Sequence, residues 1–166
     1  MFELKTERLR LIPLEYEYLK MLNYSRRELE NALGLDEYHF EFEGDYREIR
    51  RETLMFWLDN AHEMDSDYRF NTNWEIVLES ENISIGSASF MGAPNRKGEV
   101  ILGYIMAPDY RNKGYMSEAI TEISNWAITF GGAKRVISFV EKESLAVDKL
   151  LTKSGFRKEV IYVKDS

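Results

Sequence analysis

Pro108-Asp109-Tyr110-Arg111-Asn112-Lys113-Gly114-Tyr115-Met116 decides how the rest of this chain is read. Before it, Glu99–Met106 has the apolar alternation of a strand, which Pro108 terminates. After it, from about Gly114 to Phe130, Met116, Ala119, Ile120, Ile123, Ala127 and Phe130 recur at i, i+3, i+4, i+7, i+11 and i+14. That is the strongest helical period in the sequence, and Gly131-Gly132 ends it. A turn between such a strand and such a helix aims several unpaired backbone N–H groups at one point. The positive end of the helix dipole adds to their pull on an anion. Gly114 permits positive φ or a close backbone approach, and Arg111 and Lys113 add positive charge. A pyrophosphate suits this turn. An ordinary surface turn with two basic residues and a glycine suits it as well.

The flanking sequence places the turn in an α+β chain. Upstream, Arg8–Ile12 alternates as a strand, and Pro13 reads as the opening of a helix through Leu22. A short helix follows over Ser25–Gly34, and a longer one over Tyr46–Glu63 whose inner side is marked by Ile49, Thr53, Phe56, Trp57 and Asn60. Trp74–Glu79 and Ile85–Met91 pair across the turn Ser80-Glu81-Asn82, and Gly92–Gly98 leads into Glu99–Met106. Downstream come a strand at Val136–Val140, a helix at Ser144–Lys153 and a last strand at Phe156–Val163. Consecutive antiparallel strands followed by strand–helix–strand units predict a mixed, mostly antiparallel sheet flanked by helices.

Composition narrows the chemistry. A chain of 166 residues without repeats or a Pro/Gly/Ser linker reads as one domain, 1–166. Twenty-two basic against 29 acidic residues give a net charge of −7, which disfavours a nucleic-acid partner and suits amine-bearing ones. No apolar run is long enough for a bilayer, and the N-terminus lacks the pattern of a secretory signal. With no Cys there is no thiolate nucleophile, and with only His39 and His62 no three-histidine metal centre; a cytoplasmic setting and no metal are expected. Both histidines read as ordinary polar residues. Tyr38, Phe40, Phe42, Trp57, Tyr68 and Trp74 are candidates for an acceptor pocket or, more simply, for the core.

Arg111-Asn112-Lys113-Gly114-Tyr115-Met116 resembles the R/Q-x-x-G-x-G/A loop of the GNAT superfamily of acetyl-CoA-dependent N-acetyltransferases. Colinear matches flank it. Thr6-Glu7-Arg8-Leu9-Arg10-Leu11 resembles the opening strand of the branch that holds the ribosomal-protein N-terminal acetyltransferases. Gly103-Tyr104-Ile105 resembles the central-strand signature, Glu118-Ala119 a pair frequent in the loop helix, and Lys153-Ser154-Gly155-Phe156 the close of the last crossover helix.

The resemblance implies a GNAT-like domain with a splayed parallel strand pair, near residues 99–106 and 136–140, that takes acetyl-CoA. A bulge in the first strand would aim the N–H groups of Ile105, Met106 and Ala107 at the thioester and the pantetheine arm. Arg111, Asn112, Lys113, Gly114, Tyr115 and Met116 would hold the pyrophosphate. Two positions depart from the pattern: Met116 stands where the loop ends in Gly or Ala, and Leu151 where many members have a tyrosine acid.

An attacking amine must be neutral. A lysine side chain, with a reference pKa of about 10.4, needs a base more than an α-amino group at about 7.7–8.0. Glu99, which shares parity with Ile101 and Gly103, is one candidate base or a solvated turn residue. Glu141, at the end of the strand beside the cleft, is another. Ser144 is a candidate donor on the thiol side in place of the missing tyrosine, and also an N-cap. The expected reaction is direct acetyl transfer in a ternary complex to a primary amine, on a small molecule or a protein N-terminus. The alternative is a non-catalytic module that only binds acetyl-CoA or CoA. Ten residues after Phe156 provide one strand rather than a closing hairpin, so the resemblance implies that either the sheet lacks the further strand or a second copy covers that edge in a homodimer.

Overall fold

The computed structural model describes residues 1–39, 46–60, 67–140 and 144–159. Their strands are β1 (Leu4–Lys5), β2 (Leu9–Pro13), β3 (Asn73–Leu78), β4 (Ile83–Phe90), β5 (Glu99–Met106) and β6 (Arg135–Ile137). Their helices are α1 (Tyr16–Tyr24), α2 (Arg26–Leu33), α3 (Tyr46–Asn60), α4 (Tyr115–Thr129) and α5 (Leu145–Lys153). The strands form one sheet in the order β1-β2-β3-β4-β5-β6. Every pairing is antiparallel except the parallel one between β5 and β6. The α+β architecture expected from the sequence is the one found.

The apolar face of α4 makes the main core. Ala119, Ile120, Ile123 and Ala127 are completely buried against the sheet residues Leu9, Leu11, Ile76, Val100 and Leu102. Met116 is buried in this core, which answers where the larger side chain at that loop position goes. A second cluster, Leu14, Leu19, Leu29, Leu54 and Trp57, packs α1, α2 and α3 together.

Three expectations are corrected. Pro13 ends β2 instead of opening α1, which starts at Tyr16. The Leu14 N–H donates to Asn73 and the Arg8 carbonyl accepts from Glu79 just past β3, so the alternation turns position 13 toward the other side of the strand, beyond the point where β1 ends opposite Leu11. No ladder partner there needs the N–H that proline lacks. The two-residue β1 has no signal of its own. In α3, Trp57 is buried as expected and Leu54 beside it, but Ile49 and Phe56, expected on the same inner side, are more than half exposed. Phe156–Glu159 form no strand, and residues 160–166 lie outside the described residues.

Candidate active site

β5 and β6 pair only over Glu99–Ile101 and Arg135–Ile137. Beyond Ile101, β5 continues to Met106 beside β4 alone, so the two parallel strands part after one short stretch. The β4–β5 register holds without a shift from Leu102 to Met106, and Met91 and Ala107 donate to the carbonyls of Ile101 and Ile85 at its two ends. Antiparallel alternation therefore turns the N–H groups of Leu102, Tyr104 and Met106 away from β4, toward the opening.

This corrects two of the three expected donors. The Ala107 N–H is spent on Ile85 at 2.8 Å, and the ladder assigns that of Ile105 to Ser87. Met106 keeps the orientation expected of it, and Tyr104 joins it. The register shift falls elsewhere, between Ile76 and Val77, with Ile85 as the extra residue of β4. Gly103 lies on the face of β5 shared by Ser89 and Asn73, and a Cβ there would meet nothing within 4 Å. Open space therefore lies over the sheet beside the parting strands. Burial pushes the Tyr104 phenol above its ordinary value, against a smaller opposing effect of Ser138 just past β6.

The turn after β5 is built to be rigid. Asn112 (φ 61°) and Gly114 (φ 83°) are both left-handed, and Gly114 directly precedes the first turn of α4. Arg111 Nε donates to the Met106 carbonyl at 3.1 Å, tying the turn to the end of β5. Its other side is held by Glu118. One carboxylate oxygen accepts from Thr6 Oγ1 (2.5 Å) and the Arg8 N–H (2.9 Å), the other from Arg8 Nε (2.7 Å). The Arg8 guanidinium then reaches the Lys113 carbonyl (3.2 Å) and lies 4.4 Å over the Tyr115 ring. Burial opposes ionisation of Glu118, but the bonds from Thr6 and Arg8 outweigh it and hold the carboxyl below its ordinary range. A Cβ on Gly114 would stand 3.4 Å from Arg8 Nη2 and 3.6 Å from Lys153 Nζ. Arg8 and Lys153 thus come to a turn that already carries Arg111 and Lys113. The sequence pattern gave them no such place, because they approach from opposite ends of the chain.

The acid–base candidates are not gathered together. Glu99 stands at the far end of β5, where Asn95 Nδ2 donates to it (3.2 Å) and Arg135 pairs with it (3.6 Å). It is a strand-end residue, about 23 Å of strand from Met106. Ser144 caps α5: its Oγ accepts from the Val147 N–H at 3.2 Å, which leaves the hydroxyl proton free to donate. Glu141 lies outside the described residues, as do His62, Phe40 and Phe42. Leu151 packs against the main core. Trp57 and Trp74 are core residues, and His39 is exposed beside Glu37.

The acetyltransferase (GNAT) domain model matches residues 8–157, nearly the whole chain. The chain belongs to the GNAT acetyltransferase family. Among curated relatives, the uncharacterized N-acetyltransferase YjdG of Bacillus subtilis (strain 168) is 31% identical over 84 residues, 51% of this chain and 50% of that protein. The alignment thus spans about half the length of that relative. The uncharacterized N-acetyltransferase p20 of Bacillus licheniformis is 25% identical over 150 residues, covering 88% of this chain and 84% of that protein. Among solved structures, RimL, a ribosomal L7/L12 alpha-N-protein acetyltransferase in complex with coenzyme A, shares the fold with a TM-score of 0.64 at 14% identity. That alignment covers 96% of this GNAT chain and 86% of the other. No helix among the described residues is long and apolar enough to cross a membrane.

Proposed function

We propose that this GNAT protein transfers an acetyl group from acetyl-CoA to a primary amine by direct attack in a ternary complex. The observation that supports it most is one continuous feature: the open edge of β5 runs straight into a turn with positive-φ residues and four cationic side chains around it. The residues fit the cosubstrate's two ends. Gly114 leaves the space a Cβ would fill, and the amides at the start of α4, with Arg8, Arg111, Lys113 and Lys153, match a pyrophosphate. The N–H groups of Tyr104 and Met106 are placed to hydrogen-bond the pantetheine arm and to polarise a thioester carbonyl. When bound, acetyl-CoA supplies the activated acyl group.

The chain's own part is to orient, to exclude water and to move one proton. A neutral amine approaches over the face left open at Gly103, and the Ser144 hydroxyl, while still capping α5, is the proposed donor to the departing thiolate. With no Cys in the chain, no cysteine carries the acetyl group between two steps. A protein N-terminal amine is the acceptor class we favour, since it is partly neutral near pH 7 and needs the least from a base. The packing of Leu151 into the core supports the second reading, a module that binds acetyl-CoA or CoA without turnover. Pairing of two copies along β6, which among the described residues has a sheet neighbour on one side only and exposed Phe139 just beyond it, goes with either reading. Sedimentation at two concentrations tests it.

Calorimetric titration with acetyl-CoA, followed by thiol release across a panel of amines, tests the function. Binding with turnover is expected. Binding without turnover across the panel favours the module, and no binding of acetyl-CoA or CoA refutes both.

A further inference from the structure

On the face of the sheet that carries Gly103 lies a cavity of about 350 Å³ between α1, the segment after α2, and α3. Arg26, Arg47, Arg50 and Arg51 all line it, with Tyr38 and Leu54 among its other walls. Four guanidiniums on one small cavity are out of keeping with a chain of net charge −7. Their settings differ. Arg26 is locked from behind: it donates to both oxygens of Glu75 (3.0 and 2.8 Å) and to Glu30 (3.0 Å). Glu75 is fully buried and also accepts from Asn73 and Ser84, and Arg50 stands 3.9 Å from it. Burial opposes the Glu75 charge, yet Arg26 and Arg50 hold its carboxyl below the ordinary range. Two buried carboxylates thus offset two of the guanidiniums. Arg26 still has two of its five N–H donors uncommitted. Arg47 and Arg51 are exposed at the rim and have no ion pair with any described residue.

We propose that this cavity binds a carboxylate or phosphate group on the acceptor molecule, so that the substrates are amines bearing an acid group. The inference rests on the acetyltransferase reading and deepens it. The buried carboxylates account for Arg26 and Arg50 but not for two more arginines, Arg47 and Arg51, on the same space. An acceptor anion does, because planar guanidiniums with free N–H groups are matched to such a group. The register sets the spacing. Glu75 lies opposite Ser87, and Ser87 opposite Ile105, all on one face, so Glu75 is two strand spacings, roughly 10 Å, from the open edge of β5. An extended peptide covers that span in about three residues. Tyr38 connects the two regions: it lines the cavity, and its hydroxyl donates to Asp109 in the turn after β5 (3.3 Å).

The test compares Ala-Ala-Glu-amide with Ala-Ala-Gln-amide, and inorganic phosphate as a free anion, by calorimetry with wild type and the double variant Arg47→Glu/Arg51→Glu. Both substitutions are at exposed side chains with no described ion partners, and acetyl-CoA affinity on the same samples reports that the variant is folded. The acidic peptide is expected to bind at least about tenfold more tightly than the neutral one, to compete with phosphate, and to lose that preference in the variant. Equal binding of the two peptides, or a preference that survives charge reversal, overturns the proposal. Phosphate binding without discrimination between the peptides overturns it too, since the cavity is then a site for a free anion. Failure of acetyl-CoA to bind wild type is a separate result that refutes the acetyltransferase reading and leaves the peptide comparison standing.

Discussion

Replacing Glu118 by Gln tests whether the start of the chain is what holds the phosphate turn in place. The wild-type carboxylate accepts from Thr6 and the Arg8 N–H on one oxygen and from the Arg8 guanidinium on the other. Glutamine can keep the first pair on its carbonyl oxygen, but its NH2 then faces the guanidinium, donor against donor. The loss is the charge-assisted contact to Nε and Nη2, at 2.7 Å each. Charge-assisted bonds contribute about 1.5–3 kcal/mol when shielded. Arg8 is 39% exposed and water takes over part of its solvation, which lowers the expected cost to about 1–2 kcal/mol. For a chain of this size that corresponds to a Tm lower by roughly 3–6 °C.

The pH dependence carries a definite sign. The folded Glu118 carboxyl titrates below its ordinary value near 4.5, so between the two values the native state binds fewer protons than the unfolded one. The contribution is therefore fully present above the ordinary value and is lost as pH falls through the folded pKa. Urea unfolding of wild type and Glu118→Gln at neutral pH and at steps down into the acid range should show two curves that converge on acidification. Because Arg8 also bridges Lys113 and Tyr115, acetyl-CoA affinity should fall several-fold in the variant at neutral pH. A neutral-pH difference below about 0.5 kcal/mol would refute the anchoring role. So would a difference that stays constant as Glu118 protonates.

Gly114→Asp, at φ 83° and beside Arg8 and Lys153, should weaken acetyl-CoA by at least about tenfold, because its carboxylate takes the cations that a phosphate needs; unchanged calorimetric affinity would remove the turn from the site. Ser144→Ala should cost about 1 kcal/mol of stability by loss of the cap, read by urea unfolding, and should lower specific activity further only if the hydroxyl serves the thiolate. Glu75→Ala should destabilise by about 3–5 kcal/mol in the same assay, since it strands Arg26 without its buried partner; a cost under 1 kcal/mol would mean that water already reaches that pair.

The parts of this fold that announce themselves are those whose pattern is decided locally. β5 has the bounds its alternation predicts, and α4 buries the face its period marks from Met116 to Ala127 against the main core, while Phe130, the last position of that period, is exposed just past its end. Helix α3 does not yield to the same reasoning. Trp57 was expected inside with Ile49 and Phe56, but docking against α1 and α2 pairs it with Leu54 and leaves Ile49 and Phe56 outside. Pro13 has the usual mark of a helix start, but the short partner strand β1 makes the end of β2 an equally good place for it. The loop glycine and its two basic neighbours were legible for the same local reason, while Arg8, Glu118 and Lys153 join the proposed site only when strand, helix and chain end meet.

The same distinction separates the two halves of the proposed reaction. A cosubstrate held largely by main-chain groups needs a strand edge, a turn and a helix start, and these are written in spacing and glycine placement. An acceptor is held by side chains brought from different elements, and no single segment records the combination. Glu75 shows this most directly. In Trp74-Glu75-Ile76-Val77-Leu78 it is the lone charge in an apolar strand, completely buried in the structure, and a buried carboxylate requires a partner from elsewhere. That partner is Arg26, on the helix after α1, and fixing it lines one wall of the arginine cavity. A lone charged residue in an apolar strand was thus the one sequence signal for the acceptor side. It points to specificity because the fold spends a buried, fully hydrogen-bonded carboxylate on orienting a cation that faces open space.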